Sequence, residues 1–287
     1  MTLLLCTRNR TATLRRALAT IEALEVPNSF ELVVVDNGST DATPEVLAHF
    51  AARAPFSVVI VNETRPGLGN ARNAGLAHAT NEIVCCTDDD CLLGVDHILS
   101  VSRSFARFAD YGVAFIGGRI LQGPSGGARV ALLEAAELRF FPAGSVLWPG
   151  AVQGANISFR VAALRAIGGF DGRMGAGTAF RVEDLDGAAR LLQAGGAGVL
   201  DPNLVVHHDH RRGPLRARRL EAANARGRGA FVAARVGGGD RRYGRSWLEQ
   251  ATARIGRRPD HVLRACATTS QELFGAAHWA LLRAFSR

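Results

Sequence analysis

The sequence predicts an α/β fold, a mostly parallel sheet flanked by helices, continued by a helical C-terminal extension. Three observations carry this. Short apolar runs alternate with segments of helical spacing through the first third of the chain, the signature of strand–helix–strand units. The runs are continuous rather than alternating in polarity, as in strands buried on both faces. Each run ends on a polar, turn-forming cluster, and an open parallel sheet binds its ligands outside the carboxyl ends of its strands.

Residues 3–6 read as the first strand, and residues 13–24 as a helix with Leu14, Ala17, Leu18, Ile21 and Leu24 on one face. Residues 31–35 are a second buried strand, ending at Asp36-Asn37-Gly38-Ser39-Thr40-Asp41. A helix over 43–53, a strand over 57–61, a loop at 66–69 and a helix over 70–79 follow. Residues 82–87 form a fourth strand that runs into Asp88-Asp89-Asp90. Further on, 114–120 reads as a strand, 154–159 as a strand edge leading to a helix at 161–167, and 183–194 as a helix. Residues 199–200 and 204–206 are strand-like and lead to His207-His208-Asp209-His210. The arginine-rich remainder is helical in character and broken at Gly237-Gly238-Gly239, which divides the chain into a domain at 1–211 and an extension at 212–287.

Composition narrows the class. At 287 residues, 47% hydrophobic and 21% charged, the chain suits one large globular domain with a small addition. The formal charge of +8 is carried by arginine alone, for the sequence holds no lysine. Arginine forks suit phosphates, but replacement of every lysine also follows from base composition, so charge alone assigns no nucleic-acid partner and none is expected. Five cysteines without metal spacing suggest reduced thiols in a core. No run approaches the ~18 apolar residues of a membrane span, and the opening Leu3-Leu4-Leu5-Cys6 is too short for a signal peptide. A cytoplasmic protein is expected. The stretch 211–228 offers a peripheral contact with anionic lipid or a lipid-linked acceptor.

The chemistry concentrates at strand ends. Three consecutive aspartates after an apolar strand repel one another unless a cation neutralises them. Hard oxygen ligands select Mg²⁺ or Mn²⁺, and Mg²⁺ commonly shares its shell with substrate phosphates. Asp36 stands where a carboxylate can accept from a base imide or a ribose hydroxyl. The Asp-x-Asp pair of a phosphoaspartate enzyme is missing there, since Gly38 takes the second place. Arg72, near the start of a helix, can clamp a phosphate or pack on a base. Glu183 and Asp184 open another helix and offer a general base. Any of His207, His208 and His210 can complete a metal shell.

Taken together, these segments resemble the family 2 glycosyltransferases, the inverting group with the GT-A fold. The likeness runs from Leu3 to about Arg211. It rests on Cys6-Thr7-Arg8-Asn9-Arg10, on Val35-Asp36-Asn37-Gly38-Ser39-Thr40-Asp41 with Asn37 in place of a second aspartate, and on Ala71-Arg72-Asn73-Ala74-Gly75. Asp88-Asp89-Asp90 is similar to the DxD motif; Gly154-Ala155-Asn156, Gly168-Gly169-Phe170-Asp171 and Glu183-Asp184 follow in the family's order. The resemblance implies that Thr7, Arg8 and Asp36 line the nucleobase pocket and that Arg72 lies near base and phosphate. It implies that Asp88 and Asp89 serve the nucleotide sugar, that Asp88 and Asp90 meet Mn²⁺ or Mg²⁺, and that Asp184 is the general base with Glu183 second. His208 falls where the family places a metal histidine, with His210 the fallback. It further implies a nucleotide-sugar donor, UDP by default, and a glycan, lipid-linked or secondary-metabolite acceptor. A non-catalytic sugar-nucleotide binder and a nucleotidyltransferase are the competing classes. The latter usually opens with a glycine-rich loop, and Thr7-Arg8-Asn9 holds no glycine.

Overall fold

The computed structural model describes residues 1–210, 213–255 and 259–285. The boundary expected at 211–212, with Arg211 of the arginine-rich stretch, lies outside them. The first half alternates strand and helix as expected: β1 (Thr2–Thr7), α1 (Thr11–Glu22), β2 (Glu31–Asp36), α2 (Thr43–Ala51), β3 (Ser57–Asn62), α3 (Leu68–His78) and β4 (Ile83–Asp88). These four strands are parallel and ordered β3-β2-β1-β4. Alternate residues of one strand feed opposite faces of the sheet. Leu3, Leu5, Leu32 and Val34 join one buried cluster, while Leu4, Val33, Val35 and Val84 join the other.

No element is expected between β4 and residue 113, yet two form there: β5 (Cys91–Leu93) and α4 (His97–Arg107). The helix does carry a signal, since Ile98, Val101 and Phe105 recur at helical spacing and are buried. The three-residue β5 carries none; its pairing with a distant strand creates it.

β6 (Val113–Gln122), β7 (Arg139–Phe141), β8 (Ile157–Arg160), α5 (Val161–Ala166), α6 (Glu183–Gln193) and β9 (Ala197–His208) complete the nine-stranded sheet. β8 enters antiparallel between β4 and β6, which makes the sheet mixed but mostly parallel. The two strand-like pieces expected near 199–206 are one strand, β9. Its pairing with β6 skips residues between Asp201 and Val205, opposite Gly118 and Arg119. Asn156 Nδ2 holds that irregularity, donating to the Arg119 carbonyl at 2.8 Å and to the Leu204 carbonyl at 3.0 Å.

The extension forms α7 (Pro214–Gly237), α8 (Arg242–Ile255) and α9 (Pro259–Phe285). The chain breaks its helix after Gly237, as the glycine run predicts, with Gly239 at φ +100°. Phe231, Tyr243 and Trp279 bury themselves in the same apolar cluster as Phe180, Val182 and Leu185 of the sheet domain. Helices α7 and α9 cross closely at two glycines. A Cβ on Gly229 would overlap the Glu272 carbonyl oxygen, and one on Gly275 the Arg226 carbonyl oxygen. Gly275→Ala must therefore push the helices apart, at a cost of about 1–3 kcal/mol typical of overpacking, read as a fall in chemical-denaturation midpoint. An unchanged midpoint would mean the two helices are not this close. Among the described residues, no helix is long and apolar enough to cross a membrane.

Candidate active site

Strand register assembles the site. Thr7 is opposite Asp36, Cys6 opposite Asp88, and Asp36 opposite Asn62, so residues far apart in sequence share one edge. Neighbouring strands lie about 4.8 Å apart. The antiparallel β8 brings Gly154–Asn156 to the same edge, since Cys86 pairs with Ile157. β9 brings His208, paired with Cys91 of β5 and with Gln122 of β6.

The three aspartates separate into different surroundings. Asp88 touches Arg72 Nη2 at 3.5 Å. Asp89 accepts from the Thr7 hydroxyl at 2.7 Å and lies 3.4 Å from Arg10 Nε. Asp90 is 4% exposed and contacts the Arg10 guanidinium through one carboxylate oxygen. Its other oxygen lies 2.9 Å from His208 Nε2. Burial raises the pKa of Asp89 and Asp88 despite their partners: Asp89 is pushed up to about 7 by desolvation, against the pull of Arg10 and with a further push from Asp90. Asp88 is raised by burial too, opposed by Arg72 and reinforced by Asp90. Carboxylates crowded this way cannot all ionise without a cation.

Asp90, Cys91 and His208 bring their ligand atoms within 4.8 Å of one another. A thiol is a soft donor, so of the three Asp90 and His208 are the ones suited to a hard divalent ion. The imidazole is also oriented for it. His208 Nδ1 lies 3.2 Å from the Ala131 carbonyl, and a proton held there leaves Nε2 as the ligating nitrogen. The donor set thus fits a divalent cation. The three histidines have different surroundings: His207 is exposed, His208 faces Asp90, and His210 stacks edge-on against His208 with its Nε2 3.3 Å from the Val130 carbonyl.

Across from the triplet stands the amino end of α6. Asp184 accepts from the backbone N–H groups of Gly154 and, at 2.7 Å, of Leu185. Glu183, 4% exposed, is paired with Arg72 Nη1 at 2.8 Å. Burial pushes its carboxyl above the ordinary range, against Arg72. Arg72 is 2% exposed. It also donates to the Gly154 carbonyl at 3.1 Å and has its Cζ 5.6 Å from the Phe170 ring centre. Its side chain is buried and forms a strut between Asp88 and Glu183. Arg8 is exposed, and Asp36 is buried with the Ser39 N–H donating to it at 2.9 Å. Asn37, in the place of the family's second aspartate, donates to the Glu63 carbonyl at 2.7 Å and to the Arg65 carbonyl at 2.8 Å. It braces two loops.

Three contributors had no role in the sequence reading. Arg10 was visible in the first-strand loop, but its partners lie some eighty residues away. Gly154 works through its backbone, bonded to Asp184 by N–H and to Arg72 by carbonyl. Ala131 presents its carbonyl from a left-handed backbone, φ 56°, which no side-chain signal announces.

A mixed, mostly parallel sheet flanked by helices, with a carboxylate triplet at its edge, is the architecture of the GT-A glycosyltransferases. Residues 2–143 match the family model described as Glycosyl transferase family 2, and the chain belongs to that family. It is 31% identical over 220 residues to a pre-mycofactocin glycosyltransferase of Mycobacterium tuberculosis, covering 74% of this chain and 43% of that protein. The chain thus spans less than half the length of that relative. Among solved structures, it is similar in fold to the mannosyltransferase PcManGT from Pyrobaculum calidifontis in complex with GDP-Man and Mn²⁺. There the TM-score is 0.63, identity 23%, and coverage 100% of this chain and 75% of that one. It is likewise similar to S. aureus TarS 1-349 in complex with UDP, with TM-score 0.54, identity 15%, and coverage of 100% and 91%.

Proposed function

We propose that the chain is an inverting glycosyltransferase that moves a sugar from a nucleotide-sugar donor to an acceptor hydroxyl, with Asp184 as general base. The observation that carries this reading is the facing of two acidic sets across one sheet edge. Asp88, Asp89 and Asp90 stand on one side and Glu183 with Asp184 on the other, tied together through Arg72 and Gly154. Thr7, Arg8 and Asp36 line the nucleobase end, and Asp88 faces ribose or metal. UDP is the favoured base; GDP, which the mannosyltransferase neighbour holds, is the first alternative.

Asp90 and His208, with Asp88 beside them, would hold Mn²⁺ or Mg²⁺. When bound, such an ion neutralises the charge that develops on the leaving diphosphate. The residues of the chain do the rest. The two backbone amides on Asp184 fix its carboxylate, which takes the proton from the acceptor hydroxyl as the oxygen attacks the anomeric carbon. A single displacement through an oxocarbenium-like transition state inverts that carbon. Glu183, neutralised by burial or by Arg72, supports Asp184 without competing for the proton.

The acceptor is a glycan, a lipid-linked molecule or a secondary metabolite. Residues 1–211 carry the reaction in this reading, and 212–287 are an extension. Leu215, 74% exposed beside exposed Arg216, Arg218 and Arg219, supports peripheral contact with an anionic inner membrane surface, and free cysteines support a cytoplasmic setting.

The test is a screen of nucleotide sugars with Mn²⁺ by thermal shift, followed by NMR of the product. A donor that raises the melting temperature only with metal, and an inverted anomeric centre, are the expected results. Retention of configuration would overturn the reading. Asp90→Asn and His208→Ala are each expected to abolish the Mn²⁺-dependent part of that shift. A full metal-dependent shift in both would remove these residues as ligands.

A further inference from the structure

A cavity lies away from the triplet, where the turn at 168–173 and the later part of α6 meet α7 and α9. Its volume is about 480 Å³, within the range of small-molecule sites. Four arginines, Arg173, Arg190, Arg235 and Arg283, line it against two carboxylates, Asp171 and Asp186. The excess is two positive charges. The carboxyl ends of α7 and α9 lie beside it and offset about half a charge each. The sum stays positive.

We propose that this cavity binds a phosphoryl group, as a phosphate monoester or a diphosphate. The arginines divide into two kinds. Arg190 and Arg235 are the frame: Arg190 bonds Asp186 at 2.7 Å and the Ile167 carbonyl at 2.8 Å, while Arg235 meets Asp186 at 2.9 Å. Arg173 and Arg283 face outward. Arg173 is 54% exposed, and its plane is set from both sides, by the Asp171 carboxylate on Nε and Nη2 and by the Trp279 ring, 4.6 Å from Cζ. Arg283 is exposed and, among the described residues, has no carboxylate partner. With its Nε/Nη2 edge on Asp171, Arg173 is held in plane and presents its Nη1 side, and together with Arg283 this offers two points of hydrogen bonding to a phosphoryl group. A dianion suits the charge excess better than a single carboxylate does. The lining meets the candidate active site only through Phe170, whose ring lies under Arg72, and includes none of Asp36, Asp88, Asp89, Asp90 or Asp184, so binding here is testable apart from the reaction described above.

The experiment titrates the metal-free full chain with inorganic phosphate and with pyrophosphate by calorimetry. Phosphatidylcholine vesicles with and without phosphatidic acid form a parallel arm. Wild type, Arg283→Gln, Arg173→Gln/Arg283→Gln and Asp90→Asn are compared. Expected is anion binding in wild type and in Asp90→Asn, weakened at least tenfold in the double variant. The single variant, at an exposed position, gives an intermediate loss without risk to the fold. Binding of free phosphate or pyrophosphate points to a soluble phosphorylated ligand. Capture only by phosphatidic acid vesicles, lost in the double variant, points to a lipid phosphate. No binding in either arm would overturn the proposal. So would equal binding by wild type and the double variant, or a loss confined to Asp90→Asn.

Discussion

Asp184→Asn is expected to lower kcat by about 10²–10⁴-fold, the usual contribution of a positioned general base, with donor and metal binding preserved. The carboxylate receives two backbone amides, from Gly154 and Leu185, and is positioned by them. Its loss therefore falls on the proton transfer rather than on the donor. An amide in its place has one acceptor oxygen for two N–H donors, so Asp184→Ala serves as a second variant that introduces no new donor. Calorimetric donor affinity within about threefold of wild type, together with the fall in kcat, is the signature of an interaction made only in the transition state. Normal turnover in both variants would transfer the role elsewhere, with Glu183 next in line.

Arg72→Met has the larger expected effect on stability. The guanidinium is 2% exposed and is the counter-ion of Glu183 at 2.8 Å. Removing one partner of a buried ion pair costs about 3–5 kcal/mol. For a chain of this size, that corresponds to a fall in Tm on the order of 10 °C. The pH dependence has a definite sign. Glu183 already has its folded pKa raised by burial, and loss of Arg72 raises it further. A raised folded pKa means stability is fullest below the unfolded value and is lost as pH rises through the folded one. The variant should therefore be penalised least in mild acid and most in alkali. Arg72→Met/Glu183→Leu should recover much of the loss, because an apolar pair of similar volume leaves no stranded charge. Denaturant melts at acid and alkaline pH decide the matter. A penalty that is flat with pH and not rescued by the double substitution would show that the ion pair is not what holds this region.

Much of this was readable from residue order. The parallel half follows from apolar runs of the right length between amphipathic segments, because a strand buried on both faces has no alternative to a continuous run of valine and leucine. The positions of Asp36 and the triplet followed as well, since strand ends are legible and ligands gather there. What resisted were features made by pairing between distant segments. β5 has three residues and exists because Cys91 meets His208. The course of β9 past Asp201 is settled by Asn156, a side chain some fifty residues earlier. The role of Arg72 could not be read from its helix, for a single arginine on a helix is ordinarily solvated, and only the fold closes Phe170, Gly154 and Glu183 around it.

By itself, the sequence determined the class of fold and the sheet edge at which the acidic residues gather, because these depend on local pattern and on the charge of adjacent residues. The tertiary structure alone decided which histidine turns toward Asp90, that Arg10 and Thr7 pair with Asp89, and that Gly154 joins Asp184 to Arg72 through its two backbone groups. Those are contacts across thirty to a hundred and eighteen residues. They are set by strand register and helix packing, and neither is written in the short-range order of the chain.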